Sequence, residues 1–136
     1  MTLALLVGFI LAVVVAIFGR LTGFDRDKAF YATVLVVVAS YYGLFAVIGA
    51  SREVLLQECA LIAIFTVLAV LGFKGRPWLV VAGLAGHGVM DSFHGRVISN
   101  PGVPDWWPYF CGSYDVAAAA ILAGLILFRP LPKPAA

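Results

Sequence analysis

The sequence predicts an all-α integral membrane protein with five transmembrane helices. Of its 136 residues, 63% are hydrophobic and only 12% are charged, an apolar share well above that of ordinary soluble domains. The apolar residues occur in long runs, and a helix needs about 20 such residues to cross a bilayer. The chain length leaves room for about five such helices with short connections. We therefore predict a single transmembrane domain over residues 1–136.

The predicted helices are apolar runs separated by short polar or Pro/Gly-containing turns, and they cover residues 2–19, 29–49, 53–73, 78–98 and 106–128. Asp25 or Asp27 can accept hydrogen bonds from the free amides that start the second helix, and Ser51 suits the N-cap of the third. Pro77 suits the first turn of the fourth helix. We expect the first run to remain as a helix and not to be cleaved as a signal peptide, because no basic segment precedes it. The proline-rich tail from residue 129 is expected not to be helical.

Basic residues predict the orientation of the helices. Because five helices alternate sides, their connecting segments divide into two groups. Most Lys and Arg residues fall on one side, namely Arg20, Arg26, Lys28, Lys74, Arg76, Arg129 and Lys133. The other side has Arg52 and Arg96. By the positive-inside rule the N-terminus lies outside and the C-terminus in the cytoplasm. We therefore predict a multi-pass protein of the inner or plasma membrane.

Ionisable residues inside the apolar runs predict one polar site. His87, Asp91 and His94 are spaced i, i+4 and i+7, which places them on one face of a continuous fourth helix. With the predicted orientation they lie in the outer half of the bilayer, at the same depth as Glu58 of the third helix and Asp115 of the fifth. An aspartate at the centre of a span costs about 2.5–3.5 kcal/mol on insertion scales. We therefore expect these five side chains to compensate one another and to form the catalytic or binding site.

Two functional chemistries suit this set. Imidazole and carboxylate are ligands for zinc or non-haem iron, and a site with two histidines and one or two acids leaves a position for water or substrate. We predict His87, Asp91 and His94 as the metal-ligand candidates. Positions i and i+7 are about 10 Å apart along a helix, so one histidine with Asp91 is expected to join Glu58 or Asp115. Without a metal, a histidine beside a carboxylate can act as an acid/base catalyst.

Non-catalytic interpretations stay open beside these. The same residues can form a polar network that ties helices together, or line a path for protons or solutes. A path through so small a chain would require a homo-oligomer. The net charge of +2 is too small to indicate a nucleic-acid partner. Some further side chains are expected to pack or to lie at the membrane interface, among them Tyr41, Tyr42, Cys59, Trp106, Trp107, Tyr109 and Cys111, with a disulfide or soft-metal role for the cysteines as the alternative.

Two motifs carry a resemblance. The segment GHxxxDxxH at residues 86–94, followed by WPxFCxxxD at residues 107–115, resembles a family of small bacterial integral membrane proteins that is defined as a domain of unknown function. The resemblance covers the last third to half of the chain and implies a membrane location and a small helical fold.

The chemistry of the predicted site is also similar to that of the adiponectin-receptor and alkaline-ceramidase superfamily. In that superfamily three intramembrane histidines hold a zinc ion, with an Asp and a Ser nearby. This chain has two histidines, a different spacing and five predicted helices instead of seven. Ceramidase-type amide hydrolysis is therefore an analogy and not an assignment.

The sequence supports two classes of function. The first is a metal-assisted or acid/base enzyme that acts on a lipid-like substrate, with zinc or iron as the metal. The second is a non-enzymatic membrane component, either a helix-packing module of a complex or a small proton or solute carrier. In both, the lipid bilayer is the expected surrounding.

Overall fold

The computed structural model describes residues 1–49 and 51–128. Within these residues the chain is helical and contains no strand. The helices are α1 Thr2–Thr22, α2 Ala29–Ile48, α3 Arg52–Phe73, α4 Trp78–Asp91, α5 His94–Val97 and α6 Trp107–Phe128, with a 3₁₀ turn at Phe24–Arg26. The predicted non-helical tail from residue 129 falls outside the described residues.

Four of the helices, α1, α2, α3 and α6, are long and apolar enough to cross a membrane. Helices α1 and α3 are the two most apolar of these, yet their surfaces are mostly exposed. Only 17% of the most apolar 18-residue stretch of each is buried. Such outward-facing apolar surface is typical of helices that contact lipid. Helix α4 has only 14 residues, about 21 Å at 1.5 Å per residue, which is less than the hydrocarbon thickness of about 30 Å. The prediction of an all-helical chain is confirmed for the described residues, with four helices of membrane-spanning length and composition; the fifth span and the orientation stay predictions.

The helices form a bundle in which neighbours in space differ from neighbours in sequence. Helix α1 packs on α6, α6 on α4, α4 on α3, and α3 on α2, while α2 also contacts α4 and α6. The first and last long helices are thus adjacent, and α4 lies between α3 and α6. This arrangement brings residues of α2, α3, α4 and α6 to the centre of the bundle.

Small residues allow α6 to approach two of its neighbours closely. A Cβ atom on Gly88 of α4 would lie 2.9 Å from the carbonyl oxygen of Gly112, and one on Gly8 of α1 would clash with the carbonyl oxygen of Phe110. Glycine at such positions lets helix backbones pack in contact. The backbone of α6 is therefore held between α1 and α4.

Most helix ends agree with the sequence. Ser51 Oγ accepts a hydrogen bond from the amide of Val54 at 3.3 Å, and Asp27 Oδ1 accepts from the amide of Ala29 at 2.8 Å, which confirms both predicted caps. Helix α1 continues three residues beyond the predicted end at residue 19. It stops at Thr22 because Gly23 adopts a left-handed conformation with φ 83°, which glycine takes without steric cost.

The prediction of one continuous helix over residues 78–98 is wrong in its second half. Helix α4 ends at Asp91, and Ser92 and Phe93 form a turn before the short helix α5. The amides of Ser92 and Phe93 bond to carbonyls three residues back, and the hydroxyl of Ser92 bonds to the carbonyl of Val89. These amide bonds span three residues instead of four, and the Ser92 hydroxyl competes for a backbone carbonyl. The α-helical hydrogen-bond pattern therefore ends here. The turn separates His94 from the face that carries His87 and Asp91.

Candidate metal centre

All five predicted site residues are buried, although they come from different helices. His87 and Asp91 belong to α4, Asp115 to α6, Glu58 to α3 and His94 to α5, and none of the five is more than 2% exposed. They are also the buried charged or imidazole side chains of the described residues. All five side chains are thus shielded from the outer surface of the bundle. The structure divides them into two neighbouring sets.

The first set joins α4 to α6. His87 Nδ1 lies 2.6 Å from Asp115 Oδ2 and 3.8 Å from Asp91 Oδ2. An ionised carboxylate can only accept, so the shorter contact is a hydrogen bond that His87 donates to Asp115. One turn before Asp115, the thiol of Cys111 lies 3.7 Å from Asp115 Oδ2. Phe65 of α3 packs its edge against the His87 ring at a centroid distance of 4.8 Å.

This set is a group of four potential metal ligands. One ligand atom from each of His87, Asp91, Cys111 and Asp115 lies within 4.8 Å of those of the others, and all four residues are buried. Nitrogen, sulfur and carboxylate oxygen together are the donors that zinc and iron take from proteins. The group can therefore hold a metal ion.

Two carboxylate oxygens of this group lack a hydrogen-bond donor. Within residues 1–49 and 51–128, Asp91 Oδ2 and Asp115 Oδ1 are buried and have no partner. The salt bridges that involve these aspartates, among the same residues, come from His87 alone. A buried, unpaired carboxylate oxygen is costly, and one imidazolium can balance only one of two carboxylates. A divalent cation held by a neutral His87 would give both oxygens a partner and balance both carboxylates.

Three separations within the group are near those of a metal site, while pairs as far as 4.8 Å apart would have to close around the ion. Metal bonds of about 2.0–2.1 Å to nitrogen and oxygen give a tetrahedral edge of about 3.3 Å, and a sulfur bond of about 2.3 Å gives an edge of about 3.5 Å. The separations of 3.8 Å between His87 and Asp91 and 3.7 Å between Cys111 and Asp115 are close to these values. The 2.6 Å contact between His87 and Asp115 would have to open by less than 1 Å and lose its proton.

The second set joins α3, α5 and the loop that follows α5. His94 Nε2 lies 3.0 Å from Glu58 Oε1. The same carboxylate oxygen accepts a hydrogen bond of 2.8 Å from the side-chain amide of Asn100. Asn100 also donates to the backbone carbonyl of Tyr42 at 3.0 Å, and its own side-chain oxygen accepts from the amide of Gly102. This set therefore attaches the loop after α5 to α2 and α3.

Tyr42 lies between the two sets and contacts both. Its hydroxyl donates to Asp91 Oδ1 at 2.6 Å, while its ring stacks on the His94 ring at a centroid distance of 3.8 Å. The stacking contact transmits no proton, so no hydrogen-bond chain through the described residues links His94 to Asp91. His94 and Glu58 thus support the site from beside it and are not members of the four-residue group.

The aromatic residues at the start of α6 lie close together beside the site. The Trp107 ring contacts the rings of Tyr41, Phe45 and Trp106 at centroid distances of 5.0, 4.8 and 5.6 Å. Trp106 and Tyr109 are exposed. The predicted position of these residues at a membrane interface stays a prediction, since it depends on the bilayer.

Sequence reasoning missed two polar partners and ranked a third too low. The sequence predicts a packing or interface role for Tyr42, places Asn100 in a loop and favours a packing role for Cys111. One signal was available for Cys111, because positions i and i+4 with Asp115 lie on one helix face. The partners of Tyr42 and Asn100 lie 42 to 58 residues away along the chain, and no local pattern indicates them.

Within the described residues, the fold and the site define a class: a helical protein with four helices of membrane-spanning length and a buried His/Asp/Cys group. Comparison of the chain with protein-family models, with curated proteins and with solved structures found no match. The resemblance of its two motifs to small bacterial membrane proteins stays a prediction.

Proposed function

We propose that this chain is a five-helix membrane enzyme that binds zinc or iron at His87, Asp91 and Asp115 and hydrolyses an ester or amide bond of a lipid-like substrate. In this proposal α4 and α5 together form the fifth crossing, with the N-terminus outside and the C-terminus in the cytoplasm. Helix α4 is shorter than the hydrocarbon layer and packs against α3 and α6. The turn after it, at Ser92 and Phe93, is exposed and lines a cavity, and non-helical backbone at membrane depth is tolerated where it lines a water-filled cavity.

One observation carries the proposal: two buried carboxylate oxygens, Asp91 Oδ2 and Asp115 Oδ1, have no hydrogen-bond donor among the described residues. Both belong to a group with a histidine nitrogen and a thiol within 4.8 Å. A network that served only to join helices would be expected to pair these oxygens. A metal ion gives both of them a partner.

Each residue has a separate part in the proposed reaction. His87, Asp91 and Asp115 hold the ion. Cys111 lies beside them and either ligates the ion as well or borders the coordination site that a water molecule occupies. When bound, the metal lowers the pKa of a water molecule and polarises the substrate carbonyl. Tyr42 fixes Asp91 through its 2.6 Å hydrogen bond. A carboxylate oxygen of Asp115 takes the proton of the attacking water and returns it to the departing alcohol or amine.

Elemental analysis of the purified protein in mild detergent tests this proposal. After reconstitution with Zn²⁺ or Fe²⁺, we expect about one metal ion per chain in the wild type and much less in Asp91→Asn and Asp115→Asn. Glu53→Gln is the matched control, because Glu53 is an exposed acid at the start of α3 and its loss should leave the metal content unchanged. Helicity measured by circular dichroism confirms that the variants are folded.

Wild-type protein that binds no metal after reconstitution would contradict the metal centre. Metal binding without hydrolysis of ester- or amide-linked lipids would contradict the enzymatic part. The activity screen therefore compares wild type with Asp91→Asn at equal protein concentration, and hydrolysis must depend on both the added metal and Asp91.

A non-enzymatic membrane component is the second candidate, and one observation favours it. His94, Glu58 and Asn100 have partners inside the protein and connect α2, α3 and the loop after α5, as a packing network does. In this case Asp91→Asn and Asp115→Asn should lower stability without changing metal content. A catalytic site tends to behave in the opposite way, because its polar groups are often destabilising.

A further inference from the structure

A groove between α1, α4 and α6 leads from the protein surface to Asp91. It has a volume of about 830 Å³, within the range of small-molecule sites of roughly 300–1,000 Å³. Leu5 and Phe9 of α1 form one apolar wall, and Val116 and Ala120 of α6 form the other. The walls belong to two helices of membrane-spanning length, and the groove is open at the protein surface. An acyl chain therefore suits it.

The groove also has polar lining residues, and these carry both signs of charge. Arg96 from α5 and Asp105 from the loop before α6 both line it, and both side chains are exposed. Within the described ranges, Arg96 and Asp105 are more than 4.0 Å from any salt-bridge partner. Each charge is therefore free to pair with a ligand, and the two are held on the same rim.

The polar rim and the apolar walls follow the order of groups in a phospholipid. Arg96 and Asp105 lie in the segment between the end of α4 and the start of α6, where the chain leaves the membrane in the proposed topology. The walls are formed by the helices themselves, which continue into the apolar layer. Asp91 ends α4 and lines the same groove as the charged rim and the apolar walls.

We propose that this groove binds a zwitterionic phospholipid whose headgroup carries a phosphate and a primary ammonium. Arg96 pairs with the phosphate, since guanidinium is well suited to phosphate oxygens, and Asp105 pairs with the ammonium. The acyl chain lies in the groove against Leu5 and Phe9 of α1 and Val116 and Ala120 of α6, with the ester linkage near Asp91, which lines the same groove. The claim that this phospholipid is the substrate rests on the proposed function. The claim that the groove binds it does not.

The second groove of the bundle provides an internal comparison. It lies between α1, α2 and α6, has a volume of about 660 Å³ and reaches Cys111. Its described lining includes Asp27 but no arginine or lysine. It can take an acyl chain but has no partner for a phosphate, so charge complementarity favours the groove at Asp91.

Lipid binding by the full chain in detergent tests the proposal by native mass spectrometry. Three lipids with identical acyl chains are compared: phosphatidylethanolamine, phosphatidylglycerol, which lacks the ammonium, and diacylglycerol, which lacks the headgroup. We expect the wild type to retain phosphatidylethanolamine about fivefold better than phosphatidylglycerol, the factor for one exposed ion pair. Asp105→Asn should reduce that preference to about one. Arg96→Gln should weaken both phospholipids about fivefold relative to diacylglycerol.

Arg52→Gln is the matched control, since Arg52 is an exposed arginine at the start of α3 and outside the groove. It should leave all three affinities unchanged. Equal retention of the two phospholipids by the wild type would overturn the proposal, and so would an unchanged preference in Asp105→Asn. Arg96 and Asp105 are exposed, so their substitution is not expected to prevent folding.

Metal content measured on the same samples separates this inference from the proposed function. Arg96→Gln and Asp105→Asn should keep the wild-type metal content, because neither residue belongs to the metal group. Bound metal without headgroup preference would refute the lipid inference alone. Headgroup preference in a protein that binds no metal would refute the metal centre alone.

Discussion

Replacing Tyr42 by phenylalanine tests the connection between α2 and the metal group. The substitution removes one hydroxyl, which is buried and donates to Asp91 Oδ1 at 2.6 Å. The backbone carbonyl that accepts from Asn100 remains, as does the ring that stacks on His94. The variant therefore isolates a single hydrogen bond.

The expected loss of unfolding free energy in Tyr42→Phe follows from the charge and burial of the acceptor, Asp91. Hydrogen bonds between membrane helices contribute about 0.6 kcal/mol on average and at most about 1.7 kcal/mol, whereas bonds to charged groups in proteins contribute about 1.5–3 kcal/mol. Tyr42 is 1% and Asp91 2% exposed, so neither solvent nor lipid can replace the lost donor. We expect the free energy of unfolding to fall by about 1.5 kcal/mol, a tenfold change in the folding equilibrium.

The assay is unfolding by SDS titration in mixed micelles, followed by circular dichroism. Tyr41→Phe is the matched control, because Tyr41 is adjacent in sequence but 37% exposed, and its loss of a hydroxyl should change the free energy by less than about 0.5 kcal/mol. In a double-mutant cycle with Asp91→Ala, the effect of Tyr42→Phe should largely disappear. Equal effects of the two tyrosine substitutions, or additivity with Asp91→Ala, would refute the reasoning.

Three further predictions concern packing, metal and loop. Gly88→Ala should lower the free energy of unfolding by about 1–3 kcal/mol, because its Cβ would lie 2.9 Å from the Gly112 carbonyl; Gly86→Ala, with nothing within 4 Å, should not lower it, and equal losses would contradict the packing. Zinc at about 100 times its Kd should raise the free energy of unfolding by about 2.7 kcal/mol, and Asp115→Asn should abolish this gain; a gain that survives would place the ion elsewhere. Asn100→Ala should speed hydrogen exchange in the loop after α5, and unchanged protection there would show that its hydrogen bonds do not hold the loop.

The sequence by itself determined the helical class and most helix ends. Hydropathy and capping are local properties, so the apolar runs and the caps at Asp27 and Ser51 follow from a few neighbouring residues. The sequence also selected the buried ionisable residues, since a charged group in an apolar run must find a partner or a function. That reasoning identifies residues but not their partners.

Tertiary structure alone decided how the site is divided. The turn at Ser92 and Phe93 breaks the predicted stripe, directs His94 to Glu58 and leaves His87 with Asp91 and Asp115. The long-range bonds of the two sets join residues 28 to 58 positions apart, and they depend on how each helix is rotated and how closely it approaches its neighbours. Rotation and approach are set by contacts over the whole bundle, including the glycines between α4 and α6, so no local pattern in the sequence contains them.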